Sequence, residues 1–213
     1  MGMPKALMRT PAGEPWLHLS VAMLNSAGCD PIIVVLGAGA DEAKALLPPS
    51  SSTSSAPNAR VEIVVADRWA DGMSQSVRAG IGAAAGRAVL IALVDMPDLP
   101  GTVINRLLAE PITATSLRQA VFGGIPGHPV LIGRAHWRAL LGNLSGDRGA
   151  RAFLAANGIT EVECGDLYDG HDQDTPRTTA STTASTRTAP EEDALDEDTP
   201  AIDASAEHRP ADR

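Results

Sequence analysis

Residues Ala88 to Pro100 read A-V-L-I-A-L-V-D-M-P-D-L-P, and this stretch constrains the fold more than any other. Seven apolar residues run without alternation from Ala88 to Val94, the pattern of a parallel strand covered on both faces. Asp95 stands where such a strand leaves the core, and Pro97 and Pro100 bar its continuation. In open α/β sheets, ligands lie outside the carboxyl ends of strands, so a carboxylate here is placed to hold a metal ion against a bound phosphate. A carboxylate that caps the following turn through its own backbone fits the segment equally well.

The rest of the chain alternates strands with helices. Pro15 occupies the favoured first position of a helix whose inner face is Leu17, Val21 and Leu24, and Gly28 closes it. Ile32–Leu36 and Val61–Val65 read as strands, with a helix from Asp41 to Leu47 and a flexible loop from Ser50 to Pro57 between them. Met73, Val77 and Ile81 form the core face of the next helix, and Val103, Leu107 and Leu108 that of another. Ala120–Phe122 and Pro129–Ile132 read as two strands joined through Gly123–Gly127. Trp137, Leu140, Leu141 and Leu144 mark a further helix, a short one follows Arg151, and Val162 lies in a last strand. The expected fold is α/β, a Rossmann-like doubly wound and mostly parallel sheet.

Charge and composition set the outer limits. From Arg177 onward the sequence is Thr, Ala, Ser, Pro and acid, with only Leu195 and Ile202 as sizeable apolar residues. Such a segment cannot bury enough surface to offset its ordering entropy, so residues 1–176 are expected to fold and 177–213 to form a disordered acidic tail. The tail holds nine acids against four arginines, which is −5 of the chain's net −9. No basic footprint for nucleic acid is present. Cys29 and Cys164 are too few and too far apart for a disulfide framework or a zinc site. With no apolar run of about 18 residues and no signal-peptide pattern, the reading is a soluble, cytoplasmic protein without membrane contact.

Individual motifs are ambiguous when taken singly. Gly37-Ala-Gly39 follows a strand and opens a helix, as a dinucleotide-binding fingerprint would, but Glu42 stands where its third glycine belongs. A carboxylate there would repel a pyrophosphate, so a plain strand-to-helix turn explains the sequence better. Lys5 reads by default as a solvated charge. Ser74 and Ser76 lie in a first helical turn, where hydroxyls satisfy free backbone N–H groups or hold a nucleoside. His128 suits a turn, and Asp147 a helix cap. The acidic loop Asp166–Asp174 lacks the spacing and closing glutamate of a calcium loop.

Six motifs in one order carry more information: M-G-M-P-K-A-L, W-A-D-G-M-S-Q-S-V-R-A-G, L-V-D-M-P, G-H-P-V-L-I, S-G-D-R-G-A-R and D-Q-D-T-P. Together they resemble the molybdenum-cofactor nucleotidyltransferases, a MobA-like family that includes the molybdopterin cytidylyltransferases, over Met1 to about Pro176. The resemblance implies a nucleotide-diphospho-sugar transferase-like sheet and Mg²⁺-dependent transfer of a nucleoside monophosphate. The donor would be a nucleoside triphosphate, CTP above others, and the acceptor a phosphorylated molecule such as molybdopterin. Lys5 would contact the triphosphate. Asp95 would bind Mg²⁺, with Asp172 and Asp174 supplying a second carboxylate. Gly72, Ser74 and Ser76 would line the nucleoside, and Gly127, His128, Asp147 and Arg148 the acceptor. A molybdoenzyme or chaperone partner is a further expectation of the family.

In one respect the chain departs from the family. Members begin with an apolar strand and a glycine-rich loop, roughly L-A-A-G-x-G-x-R, directly before M-G-x-P-K, and here Met1 opens the latter motif. That strand would lie between Ile32–Leu36 and Ala88–Val94, so a gap in the sheet, or closure of those two strands, is expected. A native product that begins upstream is expected as well. Two other functions remain in view: an NAD(P)H-dependent oxidoreductase resembling nicotine blue oxidoreductase, and a catalytically impaired binding protein.

Overall fold

The computed structural model describes residues 3–47, 59–146 and 150–172. The expected loop at 50–57 and the acidic tail from 177 lie outside the described residues. In chain order the elements are α1 (Trp16–Ser26), β1 (Ile32–Leu36), α2 (Ala40–Leu46), β2 (Val61–Val65), α3 (Met73–Ala83) and β3 (Ala88–Ile91). They continue with α4 (Gly101–Leu107), β4 (Leu117–Phe122), β5 (Ile125–Gly133), α5 (Arg134–Asn143), α6 (Arg151–Ala156) and β6 (Thr160–Glu163). Among the described residues, no helix is long and apolar enough to cross a membrane.

The strands form two sheets: a parallel pair β1–β2, and a four-stranded sheet ordered β3-β5-β4-β6. In the larger sheet β4 and β6 pair in parallel, and β5 runs against both β3 and β4. β1 and β3 do not pair, so the sheet is divided at the place where the sequence leads one to expect a gap.

Helices cover both faces, which makes the fold doubly wound. Val103 and Leu107 of α4 pack with Ala120 and Phe122 on one face of the large sheet. Ile81 of α3, Trp137 and Leu140 of α5, and Phe153 and Leu154 of α6 pack with Leu117, Val130 and Ile132 on the other. Leu17 of α1 and Ala43 of α2 cover Ile32, Val34 and Leu36 of β1. Met73 departs from expectation. It is the first residue of α3 and is 53% exposed, while Val77 and Ile81 do face the core.

The run Ala88–Val94 also behaves differently from a fully covered parallel strand. β3 ends at Ile91, each of its residues is only half-buried, and its one pairing is antiparallel, to β5. The cause lies in β5. Ile91 pairs with Val130, and just before Val130 the β4–β5 ladder shifts register. Beyond Ile91, β3 has no regular strand to continue along.

Two polar devices fix the surrounding loops. The guanidinium of Arg118 is buried under α4, where it donates to the carbonyls of Leu107 (2.8 Å), Glu110 (3.0 Å) and Pro111 (2.9 Å). These are carbonyls that a helix end leaves without partners. At the other end of β4, the Glu163 carboxylate accepts from the backbone N–H groups of Gly165 (2.7 Å), Gly123 (2.9 Å) and Gly124 (3.1 Å). Gly123 and Gly124 both adopt positive φ, which turns their N–H groups toward one acceptor.

The N–H groups of Gly165, Gly123 and Gly124, in that order, hold Glu163 below the usual glutamate range. A depressed folded pKa adds stability that is present above the unfolded value and is lost as pH falls through the folded one. Chemical denaturation at stepped pH should therefore show the parent losing stability below about pH 4.5 more steeply than Glu163→Gln. Parallel curves would remove the carboxylate from that role. A second expectation concerns Gly133, where a Cβ would stand 2.6 Å from the Ala114 carbonyl carbon and 2.9 Å from the Ser116 nitrogen. Because backbone cannot yield cheaply, Gly133→Ala should cost about 1–3 kcal/mol, read as a lower Tm. Gly142→Ala, where no atom lies within 4 Å, should cost nothing.

Candidate functional site

The site begins where β3 ends. After Ile91 the chain turns, and Asp95 sits 5% exposed beneath the surface. Opposite it stands Lys5, on a 3-10 turn over Lys5–Leu7. That turn is anchored by Leu7 N–H to the Pro4 carbonyl and by Trp16 N–H to the Met8 carbonyl, which ties the first residues to α1. Lys5 Nζ donates to Asp95 Oδ2 at 2.5 Å. The other oxygen, Oδ1, is buried and accepts no hydrogen bond. Among the described residues neither oxygen takes a backbone N–H, so Asp95 does not cap the turn that follows it. A buried carboxylate oxygen without a donor costs about 1–3 kcal/mol or more. A cation or a donor-bearing ligand at that oxygen would relieve the cost.

A second orphan lies at the start of α3. Gly72 precedes the helix with φ +109°, a value that requires glycine. Ser74 follows two residues later and is fully buried. Its backbone N–H donates to the Gly146 carbonyl at 3.0 Å, while its hydroxyl has no partner. The Ser74 hydroxyl therefore does not act as a helix cap. Ser76, half a turn further on, is half-buried. Asp95 Oδ1 and Ser74 Oγ are the two buried side-chain polar atoms without a partner among the described residues.

Gly127 and His128 lie in β5. Gly127 packs against the Phe122 ring so closely that a Cβ would lie 2.8 Å from Phe122 Cε2. His128 is half-buried beside it; burial pushes its imidazole pKa down, and the nearby Asp95 carboxylate partly opposes that. Asp147, Arg148 and Asp174 lie outside the described residues. Asp172 is exposed at the end of the segment that follows β6. That segment is pinned by Arg106, whose guanidinium grips Asp166 at 2.5 and 2.8 Å, and by Tyr168 Oη, which donates to the His171 carbonyl at 2.6 Å. Gly170 lies under the same Phe122 ring. Among the described residues, no group of three or more His, Cys, Asp or Glu side chains gathers to hold a metal alone. A cation at Asp95 would draw its remaining ligands from phosphates and water, as Mg²⁺ commonly does.

The Gly37-Ala-Gly39 turn serves packing. A Cβ on Gly37 would meet Trp69 Cβ at 2.9 Å, and one on Gly39 would meet Leu7 and Pro4 at 3.2 Å. Both close approaches are filled by the chain's own side chains. Gln119 was not singled out by the sequence reading, although a polar pair, Arg118-Gln119, interrupts an otherwise apolar strand. Its amide Nε2 donates to the Gly127 carbonyl at 2.9 Å, directly behind His128.

Comparison with known proteins gives the family and the fold. The MobA-like NTP transferase domain matches residues 1–162. Nicotine blue oxidoreductase of Paenarthrobacter nicotinovorans is 32% identical over 184 residues, covering 81% of this chain and 84% of that protein. Among solved structures, Rv0371c of Mycobacterium tuberculosis superposes with a TM-score of 0.62 at 20% identity, over 77% of this chain and 80% of that one. A second structure of that protein is a complex with manganese (TM-score 0.60, 20% identity, 76% and 83% covered). A nucleotidyl transferase from Methanothermobacter gives 0.61 at 23% identity, over 75% and 74% of the two chains. These structures share the fold, and the matched domain spans Lys5, Ser74 and Asp95. The chain belongs to the MobA-like NTP transferase family and is a nucleotidyltransferase.

Proposed function

We propose that this protein moves a nucleoside monophosphate from a nucleoside triphosphate, CTP by preference, to a phosphorylated acceptor such as molybdopterin, with Mg²⁺ as its ion. The observation that carries the reading is Asp95, with one oxygen held by Lys5 and the other buried without a donor. A hard, unpartnered carboxylate oxygen suits a divalent cation, and the manganese bound by the mycobacterial Rv0371c structure is in keeping with that. In the reaction, an acceptor phosphate oxygen forms a bond to the α-phosphorus. The bond from that phosphorus to the β-phosphate oxygen breaks, and pyrophosphate leaves. A bound divalent ion supplies neutralisation of the charge that grows on the α-phosphate and the leaving group.

The protein's own residues bind and orient. The Lys5 side chain is half-exposed while its partner Asp95 is buried, so Lys5 can reach outward to a triphosphate without leaving the site. Gly72, Ser74 and Ser76 bind the nucleoside, a role supported by the buried Ser74 hydroxyl that has no partner among the described residues. Gly127 and His128 receive the acceptor, joined by Asp147 and Arg148, and Asp172 or Asp174 supplies the second carboxylate.

A second reading, NAD(P)H-dependent reduction, is favoured by the identity with nicotine blue oxidoreductase. Against it stand the filled approaches at Gly37 and Gly39 and the acids Asp41 and Glu42 in the first turn of α2. Thermal shift with CTP, GTP and NADPH, each with and without Mg²⁺, separates the two. Mg²⁺-CTP should raise the parent's Tm, with stabilisation of about 2.7 kcal/mol at a hundred times Kd, and NADPH should not. Asp95→Asn should remain folded and lose the metal-dependent part of the shift. A metal-independent shift with NADPH alone would transfer the assignment to the oxidoreductase. An unaltered Mg²⁺-CTP shift in Asp95→Asn would release Asp95 from the metal.

A further inference from the structure

The β4–β5 ladder carries an irregularity at the site. Gln119 pairs with Val130, and Val121 pairs with Pro126, so Gly127, His128 and Pro129 stand opposite the single Ala120. Extra residues on one strand bend it and re-aim its side chains, and such bulges cluster beside active sites. β5 lies between β3 and β4, and Val130 pairs with Ile91 on its other side. The bulge therefore flanks the stretch of chain that runs from β3 to Asp95.

A bulge leaves backbone groups outside the ladder, and each needs another partner. Here the Gly127 carbonyl receives the Nε2 of Gln119 at 2.9 Å. Gln119 is itself buried, 7% exposed, on the face of β4 that α6 covers. From the opposite face the Phe122 ring presses on Gly127, leaving no space for a Cβ. Gly127 is thus clamped between an amide and a ring, and His128 is the next residue.

We infer that Gln119 is a positioning residue: its side-chain amide locks the Gly127–Pro129 bulge and thereby fixes His128 at the acceptor side of the site. This deepens the transferase reading and rests on it for the acceptor role of His128. An apolar residue of equal size at position 119 would keep the core filled and leave the Gly127 carbonyl without its donor. The bulge would then relax while the nucleotide side, built on Lys5, Ser74 and Asp95, stays as it is.

The test uses the full chain and Gln119→Met, which keeps the volume, with Gln119→Glu as the second variant should the first fail to fold. Ring resonances of the five histidines, His18, His128, His136, His171 and His208, are read by NMR on ¹³C-histidine-labelled protein. The expected result is displacement of the His128 signals with the other four unmoved. Turnover is followed with Mg²⁺-CTP and molybdopterin as probes. There the acceptor KM should rise several-fold while the Mg²⁺-CTP thermal shift keeps its parental size. His128 signals that coincide with the parent's would overturn the inference. So would movement of all the histidines together, which would make Gln119 a general packing residue. If the parent does not turn over molybdopterin, the acceptor reading fails, and the histidine spectrum still decides the role of Gln119.

Discussion

The arrangement of the site depends on a carboxylate that is buried and only half satisfied. Asp95 keeps one oxygen on Lys5 and leaves the other without a donor in a position 5% exposed. Lys5 offsets the buried charge, and that single contact links the first residues of the chain to the end of β3, ninety positions later. Removing Lys5 would strand the buried Asp95 charge away from water, at a cost that exceeds the worth of the contact itself. The remaining oxygen is a standing cost that a cation or a donor-bearing ligand would relieve.

Around that carboxylate, three packed clusters meet on one apolar run. Val89 and Ile91 pack toward α3 and α5, Leu90 packs toward α4, and Val94 joins the cluster of α1, α2 and β1. The run thus bridges two sheets that share no strand pairing, and Asp95 follows immediately. Position at the junction explains how a short strand of four residues can hold the buried Asp95 carboxylate firmly.

Much of this was legible from periodicity. Ile32–Leu36 and Val61–Val65 form strands with the bounds their apolar runs mark. Pro15 and Gly28 bracket α1, because a fixed φ at the start and a positive φ after the end are properties of single residues. The extent of β3 was not legible, since it is set by the register shift in β5 some forty residues later. Met73 fits the helical spacing of Val77 and Ile81, yet lies at an open helix start that spacing cannot describe. Motif order points to Lys5, Asp95, Ser74 and His128, whereas the contacts of Gln119 and, at the far end of β4, of Glu163 are made to backbone groups that no residue pattern encodes.

The central claim is that Asp95 Oδ1 is the oxygen that meets the ion of a bound nucleotide. It is tested most directly by growing crystals with Mn²⁺ and CTP and collecting diffraction at the manganese edge. The account predicts an anomalous peak within about 2.0–2.6 Å of Asp95 Oδ1, between that oxygen and the triphosphate. Ordered CTP with its manganese away from Asp95, and Asp95 still bound to Lys5 alone, would contradict it.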